Sequence, residues 1–371
     1  MRIGVPKEIK NHEYRVGLVP AAVLELTKRG HEVFIEHNAG AGINLFDADY
    51  EQAGATILDN ADAVFDRADM IVKVKEPQSG ERQMLRRGQL LFTYLHLAPD
   101  PEQTRDLVNS GASCIAYETV TDARGRLPLL APMSEVAGRL SIQAGAHCLE
   151  KSAGGSGVLL GGVPGVPPAK VVVIGGGVVG YNATRMAVGL GARVVVLDRN
   201  LDVLRHLDEL FGSQVETVHS NAESIQQHTA NADLVIGGVL IPGAAAPKLV
   251  TREHLRQMNP GSVVVDVAID QGGCFETSHA TTHDSPTFIE EDVVHYCVAN
   301  MPGAVARTST FALNHATLPF TLRLADHGLQ ALLADEHLRR GLNVHQGLVT
   351  CAEVAQDLGY DYVRAEQALA G

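Results

Sequence analysis

One stretch constrains this chain more than any other: residues 170–183, which read KVVVIGGGVVGYNA. An apolar run, Val171–Ile174, predicts a strand, and a helical pattern follows near Tyr181–Leu190. Between them Gly175, Gly177 and Gly180 form the spacing GxGxxG. The motif alone is weak, but between a strand and a helix each glycine has a physical task. The first permits the tight turn, the second lets backbone N–H groups approach a pyrophosphate, and the third lets helix and strand pack closely. The helix N-terminus adds a dipole that favours phosphate. The next apolar run, Arg193–Leu197, leads into Asp198, eighteen residues after Gly180. A carboxylate there accepts hydrogen bonds from an adenosine ribose. Its charge opposes a 2′-phosphate, so the expected cofactor is NAD rather than NADP, with Arg199 turned to solvent.

The remaining pattern is a second α/β run. Strands are expected at Arg2–Val5, Glu32–Ile35, Met70–Val74, Leu90–Tyr94 and Ser113–Tyr117, with a helix at Pro20–Arg29 ended by Gly30 and another helical stretch between the third and fourth strands. Such alternation reads as a parallel sheet. Ser134 is placed to cap a helix running through Glu150. A Gly/Pro-rich stretch then leads to the fingerprint strand, after which follow a helix at Asp202–Phe211 and strands at Leu234–Gly237 and Ser262–Asp266. Helices are expected again near 308–333 and 350–358. The tail beyond Asn300 has too few strands to stand alone, so it packs back on the first unit. The fold class is therefore α/β with two Rossmann-like domains. The NAD-binding one, 133–305, is inserted into a discontinuous substrate domain made of 1–132 and 306–371. Long helices near 134–150 and 308–333 would span the junction, with the ligand cleft between the domains.

Composition narrows the function classes. A chain of 371 residues, 45% hydrophobic and 20% charged, is long enough for two cores. A net charge of −13 and the lack of any Lys/Arg run exclude a nucleic-acid partner. Five cysteines at scattered positions with no CxxC read as buried free thiols in a reducing compartment. The opening MRIGVPKE has no apolar signal region, and the most apolar stretch, near 158–179, is broken by Gly and Pro. A cytoplasmic protein with no membrane partner is expected.

Four polar residues stand at or just beyond expected strand ends: Arg15, Lys75, His96 and Asp270. Two cations with a histidine and an aspartate suit a 2-oxo or 2-amino acid, the cations for carboxylate and carbonyl oxygens and the other two for protons. Each also has a plain structural reading. Arg15 fits a surface ion pair, Lys75 a solvated strand end like Lys73, His96 a satisfied core histidine, and Asp270 a turn residue before Gly272 and Gly273.

The stretches GVPKEIKNHEYRVGLVP, VKVKEP, YLHLA, LPLLAPMSEVAGR, GGVPGVPPAKVVVIGGGVVG, DVAIDQGGCFE and YCVANMPGAV resolve the choice. Over essentially its whole length the chain resembles the L-alanine dehydrogenase family, which includes the NAD-binding subunit of transhydrogenases. The resemblance implies NAD-dependent oxidative deamination of L-alanine to pyruvate and ammonium, the reverse reductive amination, and a homo-oligomer, commonly a hexamer. It makes Arg15 and Lys75 substrate-binding residues and His96 and Asp270 the catalytic pair, with Lys75 stabilising the developing oxygen charge. Tyr94 and Met133 would crowd the small side-chain pocket. Ser134, Val178, Val179, Asp198, Ser220, Leu240 and Asn300 match its cofactor contacts, and Met301 stands where the family closes over the cofactor. Three positions depart from the family. His279 stands in place of an Arg that touches the cofactor, and Val203 in place of a Lys or Arg near the adenosine. Arg323 precedes His327 where some members place an acid as a magnesium ligand. A guanidinium cannot ligate a metal and repels one, so no metal site is expected. The nearest rivals are a transhydrogenase subunit, a saccharopine-type amino-acid dehydrogenase and an NAD-binding sensor that has lost catalysis.

Overall fold

Runs of β-branched and aliphatic residues that are buried along their whole length set the strands, as at 171–174 and 263–265, and a parallel sheet covered on both faces demands that pattern. The computed structural model describes residues 1–239 and 246–370. The chain divides into two compact units, Met1–Met133 with Val305–Gly371, and Ser134–Ala304. In chain order the first unit opens with β1 (Arg2–Val5), β2 (Glu32–Glu36), β3 (Thr56–Leu58), β4 (Met70–Val72), β5 (Leu90–Thr93) and β6 (Ser113–Ala116). The second unit contains β7 (Lys170–Ile174), β8 (Arg193–Asp198), β9 (Val215–His219), β10 (Leu234–Gly237), β11 (Val263–Asp266), β12 (Thr287–Glu290) and β13 (Val293–Tyr296). The tail returns to the first unit with β14 (Leu342–His345) and β15 (Leu348–Val349).

Both sheets are doubly wound. In the first unit the parallel strands run β3-β2-β1-β4-β5-β6, and in the second β9-β8-β7-β10-β11-β13. Each is the 3-2-1-4-5-6 order of a dinucleotide-binding sheet. The first sheet is extended by β14, antiparallel to β6, and then by β15, antiparallel to β14, and the second by β12, antiparallel to β13. The order reverses between β1 and β4 in one sheet and between β7 and β10 in the other. Ligands bind beyond the carboxyl ends of the strands at such a switch point.

Several elements differ from the sequence expectation. The helix expected from Ser134 spans Ala131–Cys148, so Ser134 lies inside it rather than at its cap. Pro132 explains the earlier start, because a first-turn residue needs no N–H partner. The helix expected over 308–333 runs Ala306–His327 and stops at Gly328, whose φ of 56° ends it before a short Gln330–Ala334 helix. Strands β3, β9, β12, β13, β14 and β15 lie outside the segments that apolar runs mark. The β12–β13 hairpin turns on Glu291 and Asp292, with φ of 51° and 57°. That geometry is usually announced by Asn-Gly or Asp-Gly, not by two acids. Among the described residues no helix is long and apolar enough to cross a membrane. Cys114, Cys148, Cys274 and Cys297 are buried free thiols and Cys351 is a half-buried one.

The fingerprint turn brings two backbone segments into close contact. A Cβ added to Gly180 would lie 1.7 Å from the Gly175 carbonyl oxygen, and Gly175 itself has a φ of 95°. Gly180→Ala therefore forces the turn open. We expect a loss of about 1–3 kcal/mol or more, the cost of overpacking a site that cannot relax, read as a lower unfolding midpoint, together with weakened dinucleotide binding by fluorescence titration. An alanine variant with native stability and affinity would contradict this role of the turn.

Candidate active site

In the first unit the residues of interest hang from the two strands that flank the switch point and from the next one along. Arg15 lies in the irregular segment that leaves β1, not directly after a strand. That segment crosses close over β4: a Cβ on Gly17 would meet the Val72 carbonyl oxygen at 2.5 Å. Arg15 is not a surface ion pair. Its side chain is 2% exposed, and Nε and Nη2 each donate to a Glu13 oxygen at 2.6 Å. Its Nη1 reaches Met133 Sδ at 3.1 Å. Burial pulls the guanidinium pKa down, but Glu13 outweighs it and raises the value. The fork-to-fork pair fixes the guanidinium plane beside Met133.

Lys75 lies just past the end of β4, its side chain mostly buried and its Nζ 3.8 Å from Glu76. Lys73 corrects the expectation of a solvated strand end. It is fully buried, donating to Glu8 at 3.1 Å and to Glu81 at 2.7 Å. Burial lowers its pKa, but the two carboxylates outweigh this and raise it, whereas burial raises that of Glu8. Alternation explains the error: Lys73 and Lys75 are two apart at a strand end, and only the tertiary neighbours distinguish them. Burial also holds the Tyr94 phenol well above its ordinary value. That hydroxyl donates to the Leu129 carbonyl at 2.5 Å, so it is pinned rather than available for proton transfer.

His96 is exposed, not a core histidine, and stacks on Tyr94 with ring centroids 5.8 Å apart and planes 7° from parallel. Its φ of 49° places a non-glycine residue in the left-handed region, a conformation that costs about 1 kcal/mol or more. Glu118 compensates. One of its oxygens accepts the His96 N–H at 2.6 Å, and both accept the Leu95 N–H, at 3.1 and 3.2 Å. The same carboxylate lies 3.9 Å from His96 Nδ1.

The second unit holds the nucleotide set. Gly177 caps the Val178–Gly189 helix, and a Cβ there would meet nothing within 4 Å, so the space above the helix N-terminus is open. Val178 is exposed in the first turn and Val179 is buried. Asp198 ends β8 and accepts from Gly176 N–H at 2.7 Å and Asn200 N–H at 2.8 Å. It therefore ties the glycine turn to the strand end where a ribose would lie. Ser220 N–H donates to the Asp198 carbonyl at 2.9 Å. The open helix N-terminus, the glycine cradle and the acid beside it fit a dinucleotide. Asn300, with a φ of 74°, opens the short turn of helix that starts at buried Met301. Ser134 is half-buried in its helix. Leu240 lies outside the described residues. Asp270 is exposed on the turn of helix after β11. Buried Asp266 closes that loop, accepting from Ala268, Cys274 and Phe275 N–H groups at 3.2, 2.9 and 3.2 Å.

The departures have structural counterparts. His279 stacks on Phe288 at 3.8 Å between centroids. Val203 packs against the glycine turn, 2.7 Å from where a Gly176 Cβ would stand. Arg323 pairs with Asp335 and lies over the Phe320 ring at 4.7 Å. Among the described residues no group of three His, Cys, Asp or Glu side chains converges to hold a metal.

Residues 4–137 match the family described as alanine dehydrogenase/PNT, N-terminal domain, and residues 141–352 match its C-terminal domain. The chain belongs to the alanine dehydrogenase/PNT family. It is 59% identical over 366 residues to an alanine dehydrogenase from Halomonas elongata, covering 98% of this chain and 99% of that one. A solved L-alanine dehydrogenase superposes with a TM-score of 0.94 at 54% identity, over 97% of this chain and 99% of the other. A transhydrogenase from Sinorhizobium meliloti follows the same fold more distantly, with a TM-score of 0.81 and 27% identity, over 94% of this chain and 100% of that one.

The carboxylates that organise these loops were not singled out from sequence. Glu13 had a usable signal, an acid two residues from Arg15, and Asp266 closes an apolar strand. Glu8 and Glu118 had none, since they reach their partners through the fold. Glu13→Gln leaves the Arg15 guanidinium buried with half its partner. We expect a loss of about 3–5 kcal/mol, the cost of breaking a buried ion pair from one side, read by denaturant unfolding. Asp202→Asn, which removes an exposed pair with Arg205, should leave the midpoint in place. Equal effects from the two variants would contradict the buried-pair account.

Proposed function

We propose that this chain catalyses the NAD-dependent oxidative deamination of L-alanine to pyruvate and ammonium, and the reverse reductive amination. One observation carries the reading. The Arg15 guanidinium interacts with the Tyr94 phenol, Tyr94 stacks on His96, and its N–H donates to the Val74 carbonyl next to Lys75, in a chain 59% identical over 366 residues to an alanine dehydrogenase. The guanidinium, held in its plane by Glu13, binds the substrate carboxylate, and the Lys75 ammonium meets the oxygen that becomes the pyruvate carbonyl. Bound NAD supplies the hydride acceptor for Cα. His96 acts on the carbinol and carbonyl oxygen as general acid and base, and Asp270 steadies the ammonium and iminium charge and takes protons. Met133 and the pinned Tyr94 bound a pocket for a methyl group. Gly175, Gly177, Val178, Val179 and Gly180 cradle the pyrophosphate, Asp198 takes the adenosine ribose, and Ser134, Ser220, Leu240, Asn300 and Met301 complete the cofactor contacts. No metal takes part. We place the enzyme in the cytoplasm as a homo-oligomer, hexameric by family resemblance.

Absorbance assays test the reading. Run in EDTA, the protein should oxidise L-alanine far better than L-glutamate, L-lysine or saccharopine, and should reduce pyruvate only with ammonium present. An extra methylene typically costs about 10- to 200-fold, so 2-aminobutyrate should react weakly. His96→Ala and Asp270→Ala should each lower kcat by at least ~10²-fold while NADH binding survives. Efficient turnover of 2-oxoglutarate with lysine would replace this reading with a saccharopine-type one, and a lack of any amino-acid turnover would leave a transhydrogenase-like or sensor role.

Asp198 sets the cofactor. NAD should be strongly preferred over NADP, and Asp198→Gly should narrow the ratio of kcat/KM values by freeing Arg199 to meet the added phosphate. Native activity with NADP equal to that with NAD would refute this role for Asp198.

A further inference from the structure

Of the buried ions Glu8, Lys73 and Glu81, which lie outside the set given binding or proton-transfer roles above, Glu8 contacts the Lys75 main chain. Strand β1 pairs with β4 at Ile3 and Gly4 and then departs at the switch point. Beyond that divergence the upper end of β4 lacks a ladder partner on the β1 side. Glu8 fills the gap. Its Oε1 accepts the Val74 N–H at 2.6 Å and the Lys75 N–H at 3.3 Å. Its Oε2 accepts from Lys73 Nζ at 3.1 Å, and that ammonium also donates to Glu81 at 2.7 Å. Glu81 in turn accepts the Gln78 N–H at 2.7 Å at the start of the Ser79–Met84 helix. On the other side of Lys75, its carbonyl accepts from the fully buried Thr93 hydroxyl at 3.0 Å.

We propose that Glu8 is a positioning residue for Lys75: with Thr93 it clamps the main chain on both sides of that lysine, and the Lys73–Glu81 pair makes a buried, charged Glu8 tolerable there. This role depends on Lys75 meeting a substrate oxygen, as in the function proposed above. The clamp fixes the direction from which the ammonium arrives without spending any of its hydrogen-bonding capacity. Such placement matters because a misplacement of about 1 Å at a reacting group costs on the order of 10²-fold in rate. The cluster also explains why Lys73 and Lys75 are not interchangeable: one is consumed in holding the clamp and the other is left to act.

The test is a set of variants, Glu8→Gln, Thr93→Val, Lys73→Met and the double Glu8→Gln/Lys73→Met, each read in two ways. In Glu8→Gln the amide oxygen serves either the main-chain N–H groups or Lys73, and its NH2 group meets a donor on the other side. We expect kcat/KM for pyruvate to fall about 10- to 10²-fold, with KM for NADH unchanged, and a smaller fall of the same kind in Thr93→Val. Removing Lys73 as well frees the amide oxygen for the main chain, so the double variant should recover most of the loss. The second reading needs no turnover: reductive methylation followed by mass spectrometry should show Lys75 reacting several-fold faster in Glu8→Gln and Thr93→Val, with exposed Lys151 unchanged. Native methylation and native kcat/KM in both Glu8→Gln and Thr93→Val would overturn the proposal. So would equal losses for pyruvate and NADH with no recovery in the double variant, which mark general damage. If the unaltered protein turns over no amino acid, the functional reading fails, and the methylation rates alone still decide whether Glu8 places Lys75.

Discussion

Carboxylates that accept main-chain N–H groups hold the candidate site in place. Parallel strands diverge at the switch point of a doubly wound sheet, and the N–H groups at their carboxyl ends lose their ladder partners there. An unpaired buried N–H costs about 1–3 kcal/mol, so something must replace those partners. Here the replacements are side chains. At the switch point Glu8 serves Val74 and Lys75; away from it, Glu118 serves Leu95 and His96 beyond β5, and Asp266 serves the loop that carries Asp270. Asp198 does the same for the glycine turn. A carboxylate is a suitable choice because it accepts several N–H groups at once and offers no donor to conflict with them.

Burying negative charge in this way has an electrostatic consequence. An ion taken out of water is tolerated only when paired and hydrogen-bonded. The first unit meets that condition with cations: Glu13 pairs with Arg15, and Glu8 and Glu81 share Lys73. The chain as a whole carries a net charge of −13, so attraction for an anionic substrate has to come from local cations rather than the overall field. Lys73 is fully buried and committed to its carboxylates, whereas the Lys75 ammonium stands 3.8 Å from Glu76.

Fold alone does not decide the chemistry. The transhydrogenase shares the architecture at much lower identity. Doubly wound sheets host many reactions because the strand ends accept different side chains on one frame. In the function proposed above, that part falls to Arg15, Lys75, His96 and Asp270.

The glycine fingerprint, the β7–β8 strand pair and the acid at Asp198 were legible in the sequence because each depends on local geometry: a turn, an apolar run and a fixed spacing. Lys75, His96 and Asp270 were legible as candidates because they follow apolar runs, and the family resemblance gave them roles. What only the tertiary structure decided was the state of each charged group. Lys73 and Lys75 look alike in VKVKEP, yet one is sealed between two carboxylates and the other is not. Arg15 is a buried fork rather than a surface pair, and His96 is held at a φ of 49° by a residue twenty-two positions away. The β12–β13 hairpin, turning on two acids, likewise lacked a local signal. Secondary structure follows from short-range sterics and periodicity, which a sequence records. Burial, ion pairing and the partner of a given N–H depend on which distant segments the fold brings together.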